Sequence, residues 1–233
     1  METSQISSME VRHLSKSYCH GKQQILNDLS ITAQDGKCIG ILGVNGCGKS
    51  TLLSILAGVL KPDQGELLYH GKSYTDSRQI SSLCAYVPQE NPLMEELDAY
   101  DNLRLWYCHS KLDLQQELEN GLLALLQIPE FLHVKVRRMS GGMKKRLSIG
   151  CAMAEDPPIL LLDEPGAALD LPCKEQIISY LQGCKKAGKI VWIATHELQE
   201  MEICDSLYVL QNGKLAPTRY HNEIHKMTNA LRT

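Results

Sequence analysis

The 233-residue chain has nine cysteines but no Cys-x-x-Cys pair, so a structural zinc site built on that spacing is not expected. The odd count, scattered through apolar segments, points instead to unbridged thiols in a reducing compartment. No apolar run approaches the roughly 18 residues that a membrane-spanning helix needs, and the opening METSQISSME lacks a basic-then-apolar signal pattern. A cytoplasmic location follows as the expectation. Excess charge of one sign is also missing, since 24 Lys and Arg stand against 27 Asp and Glu. The basic residues form only short clusters such as Lys144, Lys145 and Arg146, so a nucleic-acid surface is not expected, and a small local patch is left open. Internal repeats and low-complexity tracts are absent as well. What is present, 43% apolar and 22% charged residues, is the balance of a globular chain, long enough for one large domain or two lobes.

The most informative stretch is GVNGCGKS, residues 43–50. Before it, residues 37–42 (KCIGIL) read as a buried strand; after it, Leu52, Leu53, Ile55, Leu56, Val59 and Leu60 keep helical spacing up to Pro62. Glycines at such a strand-to-helix turn let successive backbone N–H groups face a phosphate, and the helix adds the positive end of its dipole. Gly43, Asn45, Gly46, Cys47 and Gly48 are therefore candidate positions for binding a nucleoside triphosphate, with ATP and Mg²⁺ as the expected ligands. Lys49 is expected against the β and γ phosphates, Ser50 on Mg²⁺, and Thr51 near the α phosphate. Cys47 lies two residues from Lys49 at the start of a helix, which favours thiolate, so two readings stand: a reactive thiol, or a spacer filling a variable slot.

Further strands are expected at about 9–18, 25–33, 65–69, 84–87, 159–163, 189–194 and 206–210. Tyr100, Leu103 and Tyr107, then Leu114, Leu118, Leu122 and Leu125, keep helical spacing without an intervening strand. Strands joined by helices imply a mostly parallel α/β sheet, whereas a helical insert over residues 95–140 is expected to pack as a separate lobe. Asn212-Gly213 marks a hairpin, and residues 220–233 read as a short helix or a loose tail.

Residues 159–164 (ILLLDE) form an apolar strand ending in two acids, at the sheet edge where α/β proteins bind ligands. Asp163 is the candidate metal contact and Glu164 the candidate base for a water attacking the γ phosphate. His196 stands at the exit of another apolar strand, and Gln89 carries a neutral amide able to contact Mg²⁺ or the water. Ser140, Gly141 and Gly142 begin a helix-like segment with exposed N–H groups and a hydroxyl, a second phosphate site.

Taken in order, these residues resemble the ATP-binding subunits of ATP-binding cassette (ABC) transporters from about residue 9 to 215. Residues 43–50 look like Walker A, Gln89 the Q-loop, 140–143 the signature, 159–164 Walker B, 167–170 with Asp170 the D-loop, and His196 the switch histidine. Tyr18 matches the aromatic that stacks on adenine in that family. The resemblance implies a P-loop ATPase core with a mostly parallel sheet (residues 1–94 and 141–215), an antiparallel β subdomain, a helical subdomain (95–140) and a tail (216–233). It also implies a head-to-tail dimer, homodimeric or heterodimeric, with ATP clamped between chains and a separate transmembrane permease subunit at the inner face of the cell membrane. Three positions depart from the family pattern: Met143 replaces the usual signature glutamine, Ala167 the usual D-loop serine, and Cys47 fills a variable slot.

The residues 95–105 (EELDAYDNLRL) and 140–149 (SGGMKKRLSI) look similar to exporter-type subunits, so ATP-driven export is the expected function. An importer subunit and a soluble ABC ATPase are the alternatives. A module that binds ATP without hydrolysing it is disfavoured by the presence of both Glu164 and His196.

Overall fold

The computed structural model describes residues 8–19, 22–74, 76–90 and 92–219, and the expected tail at 220–233 lies outside them. Its centre is a six-stranded sheet in the order β10-β9-β3-β8-β7-β6. These strands are β3 (Cys38–Leu42), β6 (Cys84–Val87), β7 (Ile159–Asp163), β8 (Ile190–Ala194), β9 (Ser206–Gln211) and β10 (Lys214–Thr218). All neighbours run parallel except the β9–β10 hairpin. Every residue of β3, β7 and β8 is buried, as an interior parallel strand covered on both faces requires. Asn212 and Gly213 both take positive φ in the hairpin, the geometry for which the Asn-Gly pair is suited.

A second sheet of four antiparallel strands has the order β2-β1-β4-β5, built from β1 (Ser8–Tyr18), β2 (Gln23–Gln34), β4 (Gln64–Tyr69) and β5 (Lys72–Tyr74). The alternating side-chain directions of the parallel strands divide the core. Ile159 and Leu161 join Trp192, the helix α1 (Lys49–Leu56) and the buried face of the antiparallel sheet, whereas Leu160 and Leu162 face the other helices. On that opposite side lie α3 (Ala99–Tyr107), α4 (Leu114–Asn120), α5 (Leu122–Leu125), α6 (Gly141–Ala152) and α7 (Leu171–Lys186). Two short helices, α2 (Ser77–Ser81) and α8 (Leu198–Glu202), and two 3₁₀ turns at Ile128–Phe131 and Val136–Arg138 complete the regular structure of the described residues.

The structure adds detail to the sequence reading and shortens one helix. The helical insert packs directly on the sheet: Leu103, Leu123 and Phe131 share one apolar cluster with Val87, Leu160 and Ile193. The helix expected to run to Pro62 ends at Leu56, where Ala57 and Gly58 form a C-terminal turn and Gly58 takes φ 72°. The elements β5, α2 and α7 were not read from the sequence. The first two are short, and in α7 the helically spaced buried stripe, Cys173, Ile177, Leu181 and Cys184, is half cysteine.

All nine cysteines are free, but they are not equivalent. Cys19 and Cys108 are exposed, whereas burial pushes the thiols of Cys84 and Cys151 up to about 12. Because the thiolate is the nucleophile, Ellman titration of the native protein is expected to give a fast phase of two thiols. The remainder should appear only slowly or on unfolding, and a fast phase that persists in a Cys19→Ser, Cys108→Ser double variant would contradict the assignment.

Candidate functional site

Strand β3 runs straight into the glycine loop and then into α1. Gly48 forms the N-cap in the left-handed region (φ 112°), and a Cβ there would lie 2.6 Å from Ile25 Cγ2, so both conformation and space require glycine. No side chain caps α1, and its first turn carries no acid, which leaves its leading N–H groups turned toward the loop. Lys49 is nearly buried and donates from Nζ to the carbonyl oxygens of Gly43 (2.8 Å) and Val44 (3.3 Å), folding its charge back across the loop.

These elements open onto a cavity of about 390 Å³ lined by Tyr18, Gln23, Ile25, Asn45, Gly46, Gly48, Lys49, Ser50, Thr51, Gln89, Asp163 and Glu164. Tyr18 OH lies 3.4 Å from Thr51 Oγ1 and the ring is part-exposed, so a face remains for stacking. Gln23 and Ile25 were missed by the sequence reading. Their signal was the β1–β2 pairing, which sets Gln23 directly opposite Tyr18.

Asp163, at the end of β7, is 1% exposed, and its Oδ2 is buried without a hydrogen-bond partner. Burial pushes its carboxyl above the usual range; the Ser50 hydroxyl pulls the other way, Glu164 pushes it further up, and Lys49 and Lys145 pull down. A carboxylate oxygen left unpaired in the interior, beside a serine hydroxyl, fits a hard divalent cation such as Mg²⁺.

Glu164 holds φ 50°, a left-handed conformation uncommon outside glycine and typical of functional sites. Its side chain gathers the other candidates. His196 Nδ1 lies 3.3 Å from Glu164 Oε1, and Gln89 Nε2 donates to Glu164 Oε2 at 3.4 Å. Residues read separately from three segments therefore meet on one carboxylate.

Other expected site residues stand apart. The Ser140 hydroxyl accepts from Met143 N at 3.2 Å as the N-cap of α6, and Ser140, Gly141 and Gly142 do not line the cavity. Asp170 is engaged as the N-cap of α7, accepting from Cys173 N at 2.9 Å, and also lies outside the cavity within this chain. Cys47 turns inward: its sulfur lies only 2.6 Å from where a Gly43 Cβ would be, and it packs against the core beneath the loop. That position suits the spacer reading, since Cys47 is part-buried while Cys19 and Cys108 are exposed.

The basic cluster likewise forms no single patch. Lys144 pairs with Glu95 on the surface, Arg146 reaches Gln127 and stacks over Phe131, and Lys145 is buried with its ammonium donating to Pro88 O (3.2 Å) and Asp163 O (3.4 Å). A helix turns successive side chains by about 100°, so a run in sequence need not share a face.

A glycine loop between β3 and α1, an acid pair at the end of β7 one strand beyond β8 in the same sheet, and a separate capped signature helix define a P-loop nucleotide-binding cassette. Comparison with known proteins narrows the class. A match to the ABC transporter family spans residues 26–167, and the chain belongs to that family. It is 34% identical to a Nod factor export ATP-binding protein I of Sinorhizobium fredii over 89% of this chain and 61% of the relative. It is 32% identical to a probable sulfate/thiosulfate import ATP-binding protein of Chlorella vulgaris over 89% of each chain. Thus the chain spans less than two thirds of the first relative's length but most of the second's. Among solved structures, an ATP-binding cassette captured as a post-hydrolysis dimer with ADP and Pi superposes with a TM-score of 0.80 at 25% identity, covering 92% of this chain and 99% of that one. The chain is an ATP-binding cassette of the ABC class.

Proposed function

We propose that this chain powers transport through a separate membrane subunit, acting as one half of a dimer that closes on ATP and reopens after hydrolysis. The observation that carries the chemistry is the convergence of Gln89 and His196 on Glu164, beside Lys49, Ser50 and Asp163. In this reading ATP lies along the glycine loop with adenine against Tyr18. Mg²⁺, held by Ser50 and Asp163 with Gln89, would neutralise charge across the β and γ phosphates. Glu164 takes a proton from the water as its oxygen attacks the γ phosphorus; the bond to the bridging oxygen breaks, and ADP and phosphate leave. His196 orients Glu164, and Lys49 stabilises charge developing on the leaving side.

Ser140, Gly141 and Gly142 stand outside their own chain's cavity, which supports their service to the ATP of a second chain, with Asp170 near the same interface. Ser140→Arg chains mixed with Lys49→Ala chains are expected to hydrolyse ATP faster than either parent, since the heterodimer retains one intact composite site. Negligible turnover in heterodimers verified by a dual-tag pull-down would overturn this arrangement.

Among the described residues no helix is long and apolar enough to cross a membrane. We assign export on the likeness of residues 95–105 and 140–149 to exporter subunits, supported by the relatives named for Nod factor export. The sulfate/thiosulfate and spermidine/putrescine import relatives are the ground for the alternative, an importer subunit. Co-purification with a membrane protein, followed by ATP-driven transport assayed in inverted vesicles, tests both. Accumulation inside inverted vesicles supports export; ATP-driven release from them overturns it.

A further inference from the structure

Glu200 is a buried acid that the mechanism above leaves unused. It lies on α8, four residues beyond His196, and is 4% exposed. Its Oε1 accepts the backbone N–H of Gly166 at 2.8 Å in the interior, while Oε2 is buried without a partner. Burial raises its carboxyl above the usual range, as does the nearby Glu197, itself paired with Lys174; the Thr195 hydroxyl and Gly166 N–H act in the opposite direction. Leaving a carboxylate at such a place is costly, which a sheet-edge loop with no function does not require.

The contact joins two segments with opposite duties. Gly166 lies two residues beyond Glu164, in a turn closed by Ala167 N donating to Glu164 O (3.2 Å) and Leu169 N donating to Gly166 O (3.2 Å). Glu200 belongs to the segment that carries His196 out of β8, where Glu197 N donates to Thr195 Oγ1 at 2.9 Å. A Cβ on Gly166 would come within 2.6 Å of Glu200 Oε1, so the approach leaves no room for a side chain. Glu164 and His196 meet at 3.3 Å from different strands, and Glu164 does so in a left-handed conformation that its surroundings must hold.

We infer that Glu200 is a positioning residue for hydrolysis, tying the turn that follows Glu164 to the segment that carries His196 and so keeping the two side chains in register. It touches no substrate in this role. The inference rests on the reading of Glu164 and His196 as the hydrolytic pair.

Turnover in Glu200→Ala is expected to fall about 10- to 100-fold, the scale of a small misplacement of catalytic groups, with KM for ATP within about twofold of wild type. Glu200→Gln keeps an acceptor oxygen for the Gly166 N–H and is expected to retain most of the turnover. Gly166→Ala, which pushes the carboxylate away, should lose turnover in the same direction. Combined with Glu200→Ala it should lose little more, because the two changes break one contact.

Steady-state ATPase kinetics on these four variants, with Glu164→Gln as control, give the test. The role of Glu200 is overturned by a wild-type kcat in Glu200→Ala, by a loss in KM alone, by a Glu200→Gln as impaired as Glu200→Ala, or by fully additive losses in the double variant. If Glu200→Ala does not fold, the Glu200→Gln and Gly166→Ala kcat values carry the test in the same sense. Wild-type turnover in the Glu164→Gln control would instead refute the reading of the site itself, separately from Glu200.

Discussion

Glu164→Gln is expected to reduce ATP turnover by roughly 10²- to 10⁴-fold while leaving ATP binding intact, because it removes a general base and no phosphate ligand. Glutamine keeps the shape and can still accept at one oxygen from the Gln89 amide, which donates to Glu164 at 3.4 Å. The His196 contact at 3.3 Å loses the carboxylate's charge but need not open. ATP that binds and is not cleaved should hold two chains together, so gel filtration with Mg·ATP is expected to show a dimer that wild type forms only transiently. Unchanged hydrolysis in this variant would remove Glu164 from the mechanism, and lost ATP affinity would make it a structural group.

Lys49→Ala is expected to fail one step earlier, at binding. The ammonium is almost buried and held by two loop carbonyls, at 2.8 and 3.3 Å, so it supplies fixed positive charge where the β and γ phosphates are expected. Removing it also takes the ammonium from the Gly43 carbonyl and leaves the Val44 carbonyl only the Cys47 N–H, which loosens the loop's own geometry. Calorimetry is expected to show ATP affinity falling by one to two orders of magnitude, the worth of a charge-assisted contact of about 1.5–3 kcal/mol. No ATP-dependent dimer should appear. Wild-type affinity would contradict the placement of the triphosphate on this loop.

Much of the site was legible because its elements are local. A run of five buried residues makes β7, the two acids follow it directly, and the glycine loop needs only its own backbone freedom and the helix behind it. The Asn-Gly hairpin and the Ser140 cap belong to the same kind of inference, since each depends on neighbours within a few residues. The same local chemistry could not place Cys47, whose position beside Lys49 suggested a reactive thiol, although its sulfur turns into the core under Gly43.

Packing between distant segments set the rest. Gln89 and Glu164 are 75 residues apart and meet because β6 and β7 are neighbours in the parallel sheet, with Val87 opposite Leu162. His196 reaches the same carboxylate because β8 lies on the other side of β7 and places Ala194 opposite Asp163. Asp170 was read as a nucleotide residue from its order in the chain, yet within one chain its carboxylate caps α7. Glu200 gave no signal, since a glutamate among Leu198, Gln199 and Glu202 reads as a solvated helix face. Its burial against Gly166 depends on how α8 packs over the turn after β7. The loop, the acid pair and the caps are consequences of spacing and backbone conformation. The meeting of Gln89, Glu164 and His196, and the clamp behind them, depend on strand order and helix placement, which arise from burying apolar surface across the whole chain.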